Sequence, residues 1–224
     1  MKNKYGWPLL AASLALGVTA CQSGRTSAGY QSLFDGQTLN GWQEMHKTKG
    51  PPYFVTNGVI ASPANSGNDL VTDAEFSNFI LRLEFKLTPA ANNGIGIRVP
   101  METNDLTYAG NEVQILDDDA PEYAHLEPGQ YCGSLYKIFA AKRGALKKTG
   151  EWNQYEIVAD GLRIKVVLNG KTIVDGDMST VKDPEILRIH YGMFRPKGHI
   201  ALLGHWSYVE FRNIRIKELA DNPR

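Results

Sequence analysis

"FILRLEFKL", residues 79–87, sets Phe79, Leu81, Leu83, Phe85 and Leu87 on one side of an extended chain and Arg82, Glu84 and Lys86 on the other. A period of two is that of a half-buried β-strand, whose successive side chains point to opposite faces of a sheet. "GIGIRV" (94–99), "NEVQIL" (111–116), "WNQYEIVA" (152–159), "HIALL" (199–203) and "YVEFRNIRI" (208–216) follow the same pattern. In "ADGLRIKVVLNGKTIVDGD" (159–177) two such runs flank Asn169-Gly170, a pair suited to the left-handed positions of a tight hairpin. Glycine, proline and asparagine turn signals recur at intervals of about ten to fifteen residues, and no helical period is sustained, although "DPEILRIH" (183–190) has room for a turn of helix. The expected fold is therefore all-β, a two-sheet sandwich of the jelly-roll kind, in one domain over residues 31–219 with a short tail at 220–224.

Before that domain, "MKNKYGWPLLAASLALGVTAC" carries Lys2 and Lys4, a short apolar run and small residues ahead of Cys21. This is the layout of a secretory signal over residues 1–20. Its apolar part, roughly 12 residues, falls short of the ~20 needed to cross a bilayer as a helix. Val18-Thr19-Ala20-Cys21 resembles a bacterial lipoprotein box, which makes Cys21 the expected lipidation site and residues 21–30 a small, polar tether. The expected location is the cell envelope, on the periplasmic face of an outer membrane, with the membrane contacted only through the anchor. Without the leader, 22 basic residues face 24 acidic ones, a net charge of −2. That balance, with no basic run, speaks against nucleic acid as a partner. With Cys21 acylated, Cys132 has no mate, so the core must hold the domain without a disulfide.

In a sandwich one parity of each strand fills the core and the other faces out. Applied to residues 111–116, Val113 and Ile115 go inward while Glu112, Gln114 and the strand-end Leu116 project outward. Applied to residues 94–99, Ile95, Ile97 and Val99 go inward and leave Gly96 and Arg98 outside. Arg98 and Glu112 are thus expected to share one outer face, either as members of a site or as a solvated cross-strand ion pair. A curved sandwich with a polar, aromatic-bearing hollow suits a sugar, which needs both hydrogen bonds and apolar contact. Candidates for such a groove are Arg98, Glu112, Gln114, Tyr136, His199 and His205, with Gly94 and Gly96 leaving backbone bare for close approach.

His205, between Gly204 and Trp206, is of a type that gives or takes a proton near neutral pH. His199 shares its parity but lies roughly 20 Å away along a strand, too far to serve the same site. "LDDDAPEYAH" (116–125) offers carboxylates and a histidine to a divalent ion, yet matches no metal-site spacing, so the metal is left open. Cys132 has no histidine at an informative distance. Only leucine follows Glu112 and Gln114 on that parity, which argues against a paired-acid glycosidase.

Taken together and in order, "YQSLFDGQTLNGW" (30–42), "NNGIGIRV" (92–99), "NEVQILDD" (111–118), "CGSLY" (132–136), "GEWNQYEIVADGLRIKVVLNGKTIVD" (150–175) and "VEFRNIRIKEL" (209–219) resemble the 3-keto-disaccharide hydrolase family. The resemblance spans essentially the whole mature domain. It implies a concanavalin-like jelly roll acting on glycosides already oxidised to a ketone at C3. Such a ketone acidifies the C2 proton, so one base can remove it and the C1 substituent can leave by β-elimination, with water adding later. On that reading Glu112 is base or metal ligand and Gln114 reads a hydroxyl. Arg98, or a divalent ion, stabilises the enolate, and His205 shares the acid/base work.

The chain departs from the family in one place. Where members often read Leu-Gln-Asp-His-Gly, it has Leu202-Leu203-Gly204-His205-Trp206, losing a polar group and gaining an indole. The other class of function open to this scaffold is a non-catalytic carbohydrate-binding module, for which Trp206, Tyr136 and Arg98 would form the platform.

Overall fold

The computed structural model describes residues 29–46 and 49–220; the expected leader, Cys21 and most of the tether lie outside the described residues. The strands are β1 (Gln31–Ser32), β2 (Trp42–Met45), β3 (Phe54–Thr56), β4 (Val59–Ser62), β5 (Asp69–Phe76), β6 (Phe79–Leu87) and β7 (Asn92–Val99), then β8 (Asn111–Leu116), β9 (Trp152–Asp160), β10 (Arg163–Leu168), β11 (Lys171–Asp177), β12 (Gly198–Gly204) and β13 (Val209–Glu218). Among the described residues two short α-helices interrupt them, α1 (Leu106–Ala109) and α2 (Pro184–Ile189), along with three single turns of 3-10 helix. One antiparallel sheet runs β11-β10-β9-β6-β13-β4-β3, with β1 also on β13; the other runs β2-β5-β12-β7-β8. Among the described residues no helix is long and apolar enough to cross a membrane.

The core lies between the sheets. Phe79, Leu81, Leu83, Phe85 and Leu87 of β6 are buried against it, as are Ile95 and Ile97 of β7, Val113 and Ile115 of β8, and Ile200 and Leu202 of β12. Each such side chain contributes about 1.5–3 kcal/mol by leaving water. The β10–β11 hairpin turns at Asn169 (φ 50°) and Gly170 (φ 80°), both left-handed as the Asn-Gly pair demands. The single turn expected in residues 183–190 is α2, started by Asp183, whose carboxylate accepts from the N–H groups of Glu185 and Ile186.

Strand parity fails at two points. Arg98 has φ 52°, and the β7–β12 register slips there, with Ile97 opposite Ile200 but Val99 opposite His199. Arg98 is the extra residue of a β-bulge, which reverses the parity beyond it. Val99 therefore leaves the core and joins Val71, Leu106, Ala201 and Leu203 in a second apolar cluster on the outer face of the five-stranded sheet. Leu116 is the other exception, lying in the main core where the chain leaves β8.

Residues 133–136 run alongside β8. The Gly133 N–H donates to the Gln114 carbonyl (2.8 Å), the Gln114 N–H to the Ser134 carbonyl (3.0 Å) and the Tyr136 N–H to the Glu112 carbonyl (2.8 Å). This pairing covers the edge of the sheet and brings Tyr136 beside Glu112.

Candidate active site

On the outer face of the five-stranded sheet a cavity of about 290 Å³ opens, floored by β7, β8 and β12 and walled by residues 104–108 and by Lys49, Gly67 and Asp69. Glu112 stands in it, half-buried. Gly94 makes this placement feasible: a Cβ there would collide with the Glu112 carboxylate, which lies across the bare backbone of the neighbouring strand. Removal from water pushes the Glu112 carboxyl up to about 7. A hydrogen bond with Thr107 opposes that rise, and the charges of Asp69 and Asp105 add to it. A carboxyl poised there exchanges protons readily at neutral pH.

Gln114 sits beside Asn92, donating from Nε2 to its Oδ1 (3.4 Å), while Oε1 finds no partner among the described residues. An orphaned acceptor in a cavity wall is satisfied when a ligand hydroxyl arrives. Tyr136 is held by Gln130, whose Nε2 donates to its hydroxyl (3.1 Å), and Tyr108 lies nearby with ring centroids 6.5 Å apart. Tyr108 is backed by an edge-on contact with His190 (5.0 Å), a buried imidazole that burial pushes down to about 4 and so keeps neutral. His205 is exposed and lines the cavity mouth.

Across from Glu112, Asp69 lines the cavity from β5. Its Oδ2 meets His46 Nδ1 at 2.7 Å, and its Oδ1 accepts from the Gly204 N–H (3.1 Å). Burial raises the Asp69 carboxyl above its ordinary range, against the pull of His46. His46 Nε2 meets the Thr103 carbonyl at 3.0 Å; a carbonyl only accepts, so that nitrogen carries a proton and one further proton lies between Nδ1 and Asp69.

The structure thus brings Glu112, Gln114, Tyr136 and His205 together. It does not bring Arg98. The bulge sends that side chain to the far end of the sheet, 1% exposed, where Nε donates to the Ser77 carbonyl (2.8 Å), Nη1 to that of Gly161 (2.7 Å) and Nη2 to Asn78 Oδ1 (3.2 Å). Arg98 ties the β5–β6 and β9–β10 turns together instead of facing a ligand, and the shared face expected for it and Glu112 does not exist. His199 is likewise remote, its Nδ1 2.8 Å from the Thr72 carbonyl. Trp206 lies at the rim, with its indole over Gly67 and its backbone at φ 60°. The family's usual glycine at this position suits that left-handed geometry, which tryptophan adopts at a cost of about 1–2 kcal/mol.

Sequence reasoning did not find Asp69, Tyr108, Asn92, Asp105 or Lys49. Asp69 ends a stretch that signals a turn, and Tyr108 lies in a helix of one turn, so no periodicity marks either. Two carboxylates of the acidic loop are occupied by backbone of neighbouring segments: Asp117 Oδ2 accepts from the Ala90 N–H (2.9 Å) and Asp118 Oδ1 from the Cys132 N–H (2.8 Å). Among the described residues no three His, Cys, Asp or Glu side chains converge to hold a metal ion. Burial pushes the Cys132 thiol up to about 12, and its sulfur contacts the Tyr155 hydroxyl (3.1 Å). A second recess, on the other sheet, is lined by Arg82, Glu156 and Glu84, whose charges are already paired with one another or with Arg212.

The sequence profile of the 3-keto-alpha-glucoside-1,2-lyase-like domain matches residues 29–217. A 3-keto-disaccharide hydrolase of Bacteroides thetaiotaomicron is 26% identical over 229 residues, covering 85% of this chain and 79% of that protein. A crystal structure of a candidate glycosyl hydrolase from Parabacteroides distasonis superposes with a TM-score of 0.71 at 29% identity, covering 85% of this chain and 99% of the other. A carbohydrate binding module of Bacillus subtilis has a TM-score of 0.51 at 12% identity over 80% of this chain and 96% of its own, a likeness of fold alone.

Proposed function

This chain belongs to the 3-keto-alpha-glucoside-1,2-lyase-like domain family, and from that membership we propose that it cleaves the anomeric bond of 3-keto-glycosides, with Glu112 as the proton-transfer group. The observation that supports this reading is the placement of Glu112: one carboxyl, seated over Gly94 in a polar cavity and poised near neutrality.

Ionised Glu112 takes the proton from C2, and the electrons of that C–H bond pass into an enolate on the C3 oxygen. Lys49, the only lysine or arginine among the described residues lining the cavity, stabilises the developing negative charge. The enolate collapses to restore the C3 carbonyl, forms a C1=C2 double bond and breaks the C1–O bond. The departing oxygen takes a proton from His205 at the cavity mouth. Glu112 releases the abstracted proton to solvent; water then adds across C1=C2, its hydroxyl going to C1 and its proton to His205, while a solvent proton goes to C2, returning a 3-keto sugar and both side chains in their starting states. Gln114 Oε1 and Asn92 bind ring hydroxyls, and Tyr108 and Tyr136 supply a mixed apolar and hydroxyl wall.

We further propose that Cys21 is acylated and that the domain works from a lipid anchor on the periplasmic face of the outer membrane. The sequence around Cys21 supports that location.

The enzymatic reading is tested by incubating the domain with 3-keto and unoxidised versions of one glycoside. Release of the leaving group from the 3-keto compound alone is expected. Equal release from both would reject a keto-dependent route, and release from neither, with binding intact, would mark a binding module.

A further inference from the structure

Trp206 is an anomaly. It is 57% exposed although it is the largest apolar side chain the protein could place on its surface. Its backbone sits in the left-handed region, fixed from both sides: the Trp206 N–H donates to the Ser66 carbonyl (2.8 Å), and the Asn65 N–H donates to the Trp206 carbonyl (3.3 Å). One edge of the indole rests on Gly67, where a Cβ would come within 3.0 Å of Cζ2. The ring is thus held in one orientation by features that each carry a cost, namely backbone strain, a glycine beneath it and apolar surface in water.

Its position gives those costs a use. Gly67, Gly204 and His205, the residues under and before it, all line the cavity, and Trp206 stands just outside that lining, with its indole on Gly67. The indole therefore stands immediately outside the cavity, beside Gly67 and next in the chain to His205, the proton donor to the leaving group. A pyranose presents an apolar face of C–H bonds, and a fixed aromatic plane at a cleft mouth is the surface that receives it.

We propose that Trp206 is a stacking subsite for a sugar ring on the leaving-group side of the scissile bond, so that the site takes a 3-keto-glycoside whose leaving group is itself a sugar in preference to one with a small alcohol. The inference rests on the glycoside reading of the cavity; the Bacteroides relative is already named for a disaccharide substrate, and what is added is the residue that receives the leaving-group sugar.

The test compares methyl 3-keto-glucoside with a 3-keto-disaccharide on wild type, W206G and W206F. Glycine is at home at φ 60°, so W206G removes the ring without straining the backbone, and a melting curve checks that it folds. The kcat/KM ratio of disaccharide to methyl glycoside is expected to fall about tenfold in W206G, chiefly through KM, and to return in W206F. A ratio unchanged in W206G overturns the proposal. In parallel, calorimetry of the unreduced 3-keto-disaccharide on E112Q and on E112Q/W206G reads binding without turnover. A tenfold weaker Kd in the double variant supports the subsite even if wild type proves inactive, which would overturn only the catalytic reading. Equal affinity, or no binding to either, overturns the subsite.

Discussion

The Glu112 carboxylate lies across the α-carbon of Gly94, on the adjacent strand, at a spot that any side chain would fill. Glycine there is not a turn device, since its backbone is outside the left-handed region. Its role is to leave a seat for the acid.

Gly94→Ala should therefore displace Glu112 without breaking the strand. The expected result is a loss of roughly 10²-fold in kcat/KM with a stability change of about 1–3 kcal/mol, read by kinetics and urea unfolding on the same sample. Full activity in this variant would show that the carboxylate need not occupy its observed position.

The raised carboxyl of Glu112 ties activity to stability with opposite signs. Folding lifts it from 4.5 to about 7, so the native state binds the extra proton between those values and loses stability as pH rises through them. Above pH ~7 the ionised group costs up to about 3 kcal/mol relative to an unshifted carboxyl. Glu112→Gln should accordingly be more stable than wild type at pH 8, by an amount that shrinks toward pH 4.5, while wild-type kcat/KM rises with pH through about 7 as the base ionises. Unfolding midpoints of both proteins at pH 4.5, 6 and 8 check this; a gap that does not vary with pH contradicts it.

Arg98→Met should strip donors from the Ser77 and Gly161 carbonyls and from Asn78, lowering stability by about 3 kcal/mol. Per folded molecule, kcat/KM should stay within about twofold of wild type. A large kinetic loss with an unchanged melting temperature would return the guanidinium to the substrate.

The two cysteines should behave oppositely. Cys132, buried and with its thiol pushed up to about 12, should resist iodoacetamide at pH 8 until the protein is unfolded. Cys21→Ala should release the protein from the membrane fraction of a bacterial host that processes lipoproteins; retention there would exclude the anchor.

What could be read from the residues alone was whatever repeats locally. The alternation of β6, the Asn169-Gly170 turn and the outward projection of Glu112 and Gln114 each follow from a few consecutive side chains, and each is present in the structure. Arg98 was misread because a one-residue bulge reverses parity, and nothing in "GIGIRV" announces it. Asp69 and Tyr108 escaped because their place in the cavity is set by pairings far along the chain. Asp69 stands opposite Leu203, and Tyr108 rests on His190. Non-local contacts of that kind leave no period to detect.

The most direct measurement is the fate of the C2 hydrogen. Cleavage of a 3-keto-glycoside in D₂O, stopped at early turnover, should give product carrying deuterium at C2, with both exchange and cleavage lost in Glu112→Gln. Product that keeps its original hydrogen at C2 would mean that the bond breaks without removal of that proton, and Glu112 would not be the base.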